Sequence, residues 1–454
     1  MRTIHADQAL VGGDWKRDVL VRIGADGRIA DVSTGRDPDA REVGVLLPAP
    51  VNLHSHAFQR AMAGMTEKRG PSGHDTFWTW RRLMFRFLEA LTPEDVEAIA
   101  AFVQMEMLEA GYAAVGEFHY VHHQPDGSPY DDLGELSARI ASAARQTGIG
   151  LTLLPVLYQQ GGCDGSALAP GQLRFGNSVD RFAKLHERAA ALIRELPADA
   201  RLGVAPHSLR AVSRDGLAAC VALAPQAPLH MHLAEQAGEV EEVSSVYGQR
   251  PVDWLLTHHP VDERWCLIHC TQMTEDETVR LSATGAVAGL CPITESSLGD
   301  GIFDGLRYIG RGGQFGVGSD SNIRIALSEE LRTLEYSQRL RDRHRAILAT
   351  PAASTGRVLF EGAVAGGAQA AGRASGVIAA GRWADLLALD STHIDLEERA
   401  GDAILDSYIF AGDDRMITDV WSAGRHLVQG GRHIDKDRIE GRYRQAMRSL
   451  KDRI

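Results

Sequence analysis

Four histidines and one aspartate stand at or near the ends of short apolar segments, where their side chains could bind a metal ion. His54 and His56 end the first segment, and because they are two residues apart, both project to the same face of a strand. His232, His269 and Asp320 lie near the ends of three later segments. Imidazole and carboxylate ligands without thiolates suit Zn2+, as well as Fe2+ or Mn2+, and a catalytic site keeps one position for water. The set therefore predicts a hydrolytic site in which the pKa of a water molecule falls to about 7.

Eight apolar segments alternate with longer amphipathic stretches, which is typical of strand–helix units around a parallel sheet. They are LLPAPVNLH (46–54), AVGEFHY (114–120), LTLLPVLY (151–158), LGVAPHSL (202–209), PLHMHLAE (228–235), RWCLIHC (264–270), GAVAGLCP (285–292) and QFGVGSD (314–320). Eight parallel strands close naturally into a barrel, whose carboxyl ends carry the active site. The alternative is an open, doubly wound sheet, but its first strand would normally lead into a glycine-rich phosphate loop, which is absent here. We therefore predict an α/β fold with a (β/α)8 TIM-type barrel.

Both ends of the chain show alternating apolar and polar residues with turn residues between them, as in hairpins. Examples are DVLVRIGADGRIADVS (18–33) and GVIAAGRWADLLALD (376–390). The simplest arrangement pairs the two ends in one small domain with the barrel inserted between them. We predict a small β-sandwich domain from residues 1–45 and 376–435, a catalytic barrel from 46–375 and a C-terminal helix from 436–454.

The composition is that of an ordinary globular protein, with 44% hydrophobic and 24% charged residues. No apolar run approaches the roughly 20 residues that cross a bilayer, and the N-terminal residues do not resemble a secretory signal. Five cysteines without a CxxC motif suit a reducing compartment. A net charge of −12 argues against nonspecific binding to nucleic acid. We expect a cytoplasmic homodimer that binds neither nucleic acid nor membranes.

The pattern HSH (54–56), one histidine on each of the fifth and sixth segments and GSD (318–320) on the eighth resembles the amidohydrolase superfamily. The resemblance covers essentially the whole chain, including a β-sandwich built from both chain ends. Binuclear members of that superfamily bridge two metals with a carboxylated lysine, or sometimes a glutamate, at the fourth strand. None of the five lysines here lies near that strand. The resemblance thus implies one Zn2+ per chain, with Fe2+ or Mn2+ as alternatives, bound by His54, His56, His232 and Asp320. It leaves open whether His269 binds the ion or orients the water.

The sequence HLAE (232–235) resembles the deaminase branch, in which the glutamate passes a proton to departing ammonia. Glu235 could instead be a solvated residue at a helix N-terminus, since EQAGEVEEV follows. Further stretches resemble a family of bacterial deaminases that act on N-formimino-L-glutamate in histidine degradation: NLHSHAFQRAMAG (52–64), DTFWTWR (75–81), EFHYVHH (117–123), HSLRAV (207–212) and SLGDGIF (297–303). The resemblance implies hydrolysis to N-formyl-L-glutamate and ammonia, with Glu235, His269 and Asp320 as the catalytic residues.

The small substrate of that family carries two carboxylates, so an acidic protein needs local cations to bind it. Arginine suits this role because its planar guanidinium binds a carboxylate through two hydrogen bonds. The resemblance implies that Arg81 and Arg210 bind the dianion, with help from Gln59, Tyr120 and His207. The alternative function is deamination of a purine-like or triazine ring by the same branch, which would not require two arginines.

Overall fold

The computed structural model describes residues 2–68 and 77–454 of the chain, and these residues contain seventeen strands. The strands are β1 (Arg2–Val11), β2 (Asp14–Ile23), β3 (Ile29–Thr34), β4 (Arg41–Pro48), β5 (Val51–Ser55), β6 (Ala114–His119), β7 (Gly150–Leu157), β8 (Arg201–Leu202), β9 (Ala205–Pro206), β10 (Leu229–Leu233), β11 (Trp265–His269), β12 (Val287–Leu290), β13 (Gln314–Val317), β14 (Leu386–Leu389), β15 (Ile417–Ser422), β16 (Arg425–Gln429) and β17 (Arg432–His433). The first two residues of the stretch DTFWTWR lie outside the described part of the chain.

Fourteen α-helices occur in the same residues, most of them between barrel strands. They are α1 (Phe77–Ala90), α2 (Pro93–Glu109), α3 (Glu135–Thr147), α4 (Val179–Arg194), α5 (Arg214–Leu223), α6 (Ala237–Tyr247), α7 (Pro251–His258), α8 (Glu275–Ser282), α9 (Pro292–Leu298), α10 (Gly305–Gly310), α11 (Leu327–Asp342), α12 (Thr355–Ala370), α13 (Asp402–Asp406) and α14 (Lys436–Lys451). None of these helices combines the length and the apolar composition that a membrane span requires.

Strands β5 to β13 form the predicted barrel. All their pairings are parallel, and they belong to two sheets, β5–β6–β7 with β8 and β9, and β10–β11–β12–β13. Two bridges, Ser55 with Asp320 and Val204 with Leu229, join the two sheets at both edges. The sheet is therefore closed, and the predicted barrel is confirmed over the open, doubly wound alternative.

The first and fourth predicted segments are each divided in the structure. Residues 46–48 end β4 of the terminal sheet, and the barrel strand β5 begins at Val51. Pro48 and Pro50 flank this division, and proline has no N–H group to donate to a ladder. The fourth segment consists of β8 and β9, separated at Gly203. A Cβ atom on Gly203 would lie 2.7 Å from the carbonyl oxygen of Pro228, so only glycine permits this approach.

The two chain ends share one eight-stranded sheet with the order β17–β16–β15–β14–β4–β1–β2–β3. Strand β4 joins the two ends because it pairs parallel with β1 and antiparallel with β14. Buried residues from both ends, including Ile4, Val21, Leu386 and Trp421, form a hydrophobic cluster distinct from the main core. Burial of this shared apolar surface is what holds the distant ends of the chain in one unit.

A buried ionic network connects the barrel to the terminal sheet. Asp199, in the loop before β8, accepts hydrogen bonds from Arg425 at 2.7 and 2.8 Å and from Arg373 at 2.9 Å. Arg373 also donates to Asp385, which precedes β14, at 2.6 and 2.9 Å. Because buried charges are tolerated only when they are paired, this network fixes the position of the sheet on the barrel.

Candidate metal centre and active site

The predicted metal-binding residues meet at the carboxyl ends of the barrel strands. His54 lies in β5, His56 directly follows it, and His232 lies in β10. Asp320 follows β13, and its amide donates to the His54 carbonyl while its own carbonyl accepts from the His56 amide, both at 2.9 Å. These backbone bonds at the closure of the barrel hold Asp320 beside the two histidines.

The four side chains turn one ligand atom each toward a common point. The Nε2 atoms of His54 and His232 are 3.1 Å apart, and Asp320 Oδ1 lies 3.4 Å from His54 Nε2 and 3.3 Å from His56 Nε2. All four potential ligand atoms lie within 4.8 Å of one another, and all four residues are buried. Three imidazoles and one carboxylate in this arrangement are a donor set for a divalent cation.

The Nδ1 atoms of His56 and His232, which face away from the centre, show which ring nitrogen of each histidine is free to bind an ion. Nδ1 of His56 lies 3.0 Å from the Phe118 carbonyl oxygen, and Nδ1 of His232 lies 3.2 Å from the His207 carbonyl oxygen. A carbonyl only accepts, so each Nδ1 carries the proton and each Nε2 presents a lone pair to the centre. Lone pairs facing one another beside a carboxylate are stabilised by a cation between them. The residues therefore fit a metal ion.

The electrostatics of the site agree with this assignment. Burial lowers the pKa of His54 to about 3 and also lowers the pKa of His56 and His232, so the three imidazoles are neutral at pH 7. Burial acts to raise the pKa of Asp320, but the hydrogen bond with His54 and the electrostatic influence of the surrounding histidines outweigh it and hold that pKa below its usual range. Neutral imidazoles and an ionised carboxylate are the forms that bind metal.

His269 stands beside the four residues rather than among them. Its Nε2 lies 3.8 Å from Glu235 Oε1 and 3.9 Å from Asp320 Oδ2, while its Nδ1 lies 3.2 Å from Glu295 Oε1. The backbone of His269 has φ +73°, a left-handed conformation that is sparsely populated by residues other than glycine and is concentrated at functional sites. The turn at the end of β11 thus directs the ring toward both carboxylates.

Glu235 and His269 form a pair that can hold a proton between them. Burial raises the pKa of Glu235. Burial also acts to lower the pKa of His269, but the negative charges of Glu235, Glu295 and Asp320 outweigh it and raise that pKa to about 10. The backbone amide of Glu235 donates to Glu239 at 3.0 Å, so its main chain is bonded within the site rather than solvated. This arrangement disfavours a purely structural role for Glu235 at the start of α6.

A cavity opens above these residues and is lined by ten of the eleven residues predicted for the site. The exception, His54, is fully buried beneath the others. Arg210 lies in the cavity wall with Nη2 3.9 Å from Glu235 Oε2 and only 7% of its surface exposed. The Nε group of Arg210 is buried without a hydrogen-bond partner, so it is available to an anion in the cavity.

The other predicted substrate residues lie around the same cavity. Arg81 is half-buried and donates from Nη2 to the Tyr158 hydroxyl at 3.0 Å. Gln59 Nε2 donates to the Tyr120 hydroxyl at 2.9 Å, and Gln59 Oε1 is buried without a partner. The ring of His207 lies 4.8 Å from that of His232, and burial lowers its pKa, so it is neutral. The structure therefore brings all five residues to one cavity, with two of them cationic.

Sequence analysis did not single out Tyr158, Glu239 or Glu295. Tyr158 lines the cavity, Glu239 accepts the amides of residues 234 and 235, and Glu295 contacts His269. Tyr158 stands directly after β7, at the same edge as the other candidates, and this position was the signal that could have identified it. Glu239 and Glu295 lie in helices, where the pattern of strand ends gives no indication.

Histidines that the prediction left outside the site have other partners. His122 Nε2 lies 3.0 Å from the Val156 carbonyl, and His123 Nε2 lies 3.0 Å from Asn177 Oδ1. His230, two residues before His232 in β10, lies 2.7 Å from the Ala370 carbonyl at the opposite end of the barrel interior.

Almost the whole chain matches two known protein families. Residues 45–427 match the profile of the amidohydrolase family, and residues 1–43 match that described as formimidoylglutamate deiminase HutF, N-terminal domain. The chain belongs to the amidohydrolase family, whose members are metal-dependent. The predicted resemblance to this superfamily and its deaminases is confirmed.

A formimidoylglutamate deiminase from Pseudomonas aeruginosa is 46% identical over 456 residues, which span all of both chains. An amidohydrolase structure from Brucella melitensis is 47% identical with a TM-score of 0.95 and covers 99% of this chain and 100% of that one. An adenosine deaminase structure from Xanthomonas campestris with bound zinc has a TM-score of 0.83 at 22% identity over 99% and 98% of the two chains, a likeness of fold alone. The fold of this chain, barrel and terminal sheet together, thus matches both solved structures along nearly their whole length.

Proposed function

We propose that this chain hydrolyses the formimino group of N-formimino-L-glutamate, releasing ammonia and leaving N-formyl-L-glutamate. The observation that carries the proposal is the buried guanidinium of Arg210, which lines the cavity 3.9 Å from Glu235 and whose Nε group makes no hydrogen bond. A second cation, Arg81, lines the same cavity. A substrate with two carboxylates beside its reacting group matches this arrangement. The 46% identical relative named formimidoylglutamate deiminase supports the same conclusion.

One Zn2+ ion is proposed as the cofactor, bound by His54, His56, His232 and Asp320. When bound there, the ion would act as a Lewis acid and lower the pKa of a water molecule to about 7. In the described residues no lysine lies at the end of the fourth strand, and Lys184 belongs to α4. Without a lysine to bridge two metals, a single ion is the better assignment. Fe2+ and Mn2+ suit the same donors.

The remaining residues would move protons at defined atoms. Asp320 Oδ2 would accept the proton of the attacking water, and the protonated His269, whose Nε2 lies 3.9 Å from that oxygen, would orient this water. Water adds to the formimino carbon. As the bond from that carbon to the terminal nitrogen breaks, the added oxygen loses its second proton and becomes the formyl oxygen, so that both protons of the water end on the departing nitrogen. Glu235, whose Oε1 lies 3.8 Å from His269 Nε2, would deliver the proton that lets this nitrogen leave as ammonia. Glu235 is thus proposed as the proton shuttle and His269 as a residue that orients the water.

Substrate binding is assigned to Arg81 and Arg210, with Gln59, Tyr120 and His207. The two guanidinium groups neutralise the dianion, which the net charge of −12 would otherwise repel. Gln59 and His207 offer polar atoms to the same cavity. A purine-like or triazine ring is the rival substrate, but it carries no anionic group for Arg81 and Arg210 to bind.

An ammonia-release assay tests the proposal. The purified chain loaded with one equivalent of Zn2+ should release ammonia from N-formimino-L-glutamate, and far less from adenosine or guanine under the same conditions. Elemental analysis should find one zinc per chain. Ammonia from adenosine or guanine but not from N-formimino-L-glutamate would instead support the ring deaminase.

Oligomeric state and location remain predictions. Size-exclusion chromatography with light scattering tests the homodimer, since a monomer mass near 49.3 kDa would contradict it. Fractionation of cells that express the native chain tests the cytoplasmic location.

A further inference from the structure

We propose that Tyr158 is a specificity-determining residue whose hydroxyl donates a hydrogen bond to one carboxylate of the substrate. This inference rests on the proposed function and extends it to a residue that the sequence patterns did not indicate. Tyr158 follows β7 directly, is 3% exposed and lines the cavity together with Arg81 and His207.

Both acceptor positions of the Tyr158 hydroxyl are occupied by donors. Arg81 Nη2 lies 3.0 Å from the hydroxyl oxygen, and a guanidinium can only donate. Gln172 Nε2 lies 2.8 Å from the same oxygen. The orientation of the Gln172 amide is fixed because its Oε1 accepts the Ala169 backbone amide at 2.7 Å. A hydroxyl has two lone pairs, so only its proton remains for a further hydrogen bond.

The cavity is where that proton can find an acceptor. Among the described residues, the hydroxyl has no hydrogen-bond partner other than the two donors. The ring is held by His207, with centroids 4.6 Å apart, and by Phe175 at 5.5 Å. The two donors and the packed ring restrict the direction of the O–H bond, and the Tyr158 side chain borders the cavity.

A carboxylate is the acceptor that matches this site. Arg81 and the Tyr158 hydroxyl are in direct contact, so one carboxylate group could accept from both at once. Hydrogen bonds to charged acceptors are shorter and roughly twice as strong as neutral ones. A substrate without an acceptor at this point would leave the hydroxyl proton of Tyr158 without a hydrogen bond, which disfavours its binding. Tyr158 therefore adds to the preference for a dianion.

The test begins with Tyr158→Phe, which removes only the hydroxyl and keeps the packed ring. The KM for N-formimino-L-glutamate should rise roughly tenfold to a hundredfold, the size expected for one hydrogen bond to a charged group, with kcat within about threefold of wild type. Calorimetry should find a similar loss of affinity for N-formyl-L-glutamate.

The matched control is Tyr308→Phe, which should leave both KM and kcat unchanged. The Tyr308 hydroxyl donates to the Ala286 carbonyl, away from the cavity. An unchanged KM and product affinity in Tyr158→Phe would overturn the proposal, whereas wild type that releases no ammonia would overturn the proposed function instead.

Two further comparisons separate a direct contact from an effect through Arg81. In an Arg81→Ala background, Tyr158→Phe should still raise KM, and no additional effect would mean that Tyr158 only positions Arg81.

N-formimino derivatives of 4-aminobutyrate and of L-2-aminobutyrate each lack one of the two carboxylates of N-formimino-L-glutamate. The penalty of Tyr158→Phe should disappear with one of them, and an equal penalty with both would overturn the proposal. If Tyr158→Phe does not fold, Gln172→Leu tests the orientation of the hydroxyl, because it should raise KM several-fold, and an unchanged KM would overturn it.

Discussion

The Nδ1 atom of His269 lies 3.2 Å from Glu295 Oε1, and the same carboxylate oxygen accepts the Cys291 backbone amide at 2.8 Å. The carboxylate accepts, so Nδ1 of His269 carries a proton, and Nε2 faces Glu235 and Asp320. Glu295 belongs to α9, which follows β12, while His269 ends β11. A helix of one barrel unit thus sets the ring orientation of a residue from the preceding unit, as carboxylates do for catalytic histidines.

Replacing Glu295 tests this relationship. In Glu295→Gln the side chain loses the negative charge that helps to raise the pKa of His269, and its amide group can be turned to donate toward Nδ1 instead of accepting from it. We expect kcat to fall roughly tenfold to a hundredfold, the usual cost of losing such an outer partner, with zinc content unchanged. The pH dependence of kcat should also shift, which a purely structural change would not cause. Glu241→Gln, exposed on α6, is the control and should match wild type in both measurements.

Replacing Glu235 tests the proton shuttle. Glu235→Gln keeps the size of the side chain and removes its capacity to carry a proton. Turnover should fall by about a hundredfold to ten-thousandfold, the range of general acid–base catalysis. Zinc content, measured by elemental analysis, should stay at one per chain because Glu235 is not among the four clustered ligands. A variant that retains most of its activity would exclude Glu235 as the shuttle.

The strand ends were predictable because parallel strands of a closed barrel expose their carboxyl ends at one face. His54, His232 and His269 could therefore be grouped without knowing any helix. Glu295 could not, because its contact with His269 depends on where α9 begins and on the turn that follows β12. The boundary between β4 and β5 was hidden for another reason, since both strands are apolar and join at Pro48 and Pro50 in one continuous run.

Removal of the metal should lower the stability of the fold. An ion that binds only the folded chain, at a free concentration about a thousand times its Kd, stabilises it by roughly 4 kcal/mol. Treatment with a chelator should lower the melting temperature, and Zn2+ should restore it. In His232→Ala the melting temperature should no longer respond to Zn2+, while His344→Ala, on an exposed loop, should respond as wild type does. An equal response in His232→Ala would contradict the assigned ligand.

The network around Asp199 predicts acid sensitivity of the junction between barrel and sheet. Burial acts to raise the pKa of Asp199, but Arg425 and Arg373 outweigh it and lower that pKa to about 2. A folded-state pKa below the unfolded value of about 3.9 stabilises the fold above that pH, and this contribution is lost as pH falls from about 4 to about 2. Asp199→Asn should therefore lower the free energy of unfolding at pH 7 by about 2 kcal/mol.

Urea unfolding at several pH values measures this effect. The difference between wild type and Asp199→Asn should shrink as the pH falls below about 4, because wild type then loses the same charge. Asp131→Asn, at an exposed position, provides the control. A difference that stays constant down to pH 2 would show that Asp199 acts through packing rather than through its charge.

Arg210 provides the test of substrate charge. It contacts Glu235 and Glu239 only at 3.9 Å, so its Nε group keeps its donor capacity for the substrate. Arg210→Ala should lower kcat/KM for N-formimino-L-glutamate by about a hundredfold or more, since a buried ion pair is lost from the complex. Arg210→Lys keeps the charge but not the planar fork, so it should recover only part of this loss. The matched control is Arg324→Ala, because Arg324 is exposed and paired with Glu329, away from the cavity. If Arg210→Ala kept the kcat/KM of wild type while Arg81→Ala lost it, the dianion would be bound without Arg210, and the assignment of two arginines would be wrong.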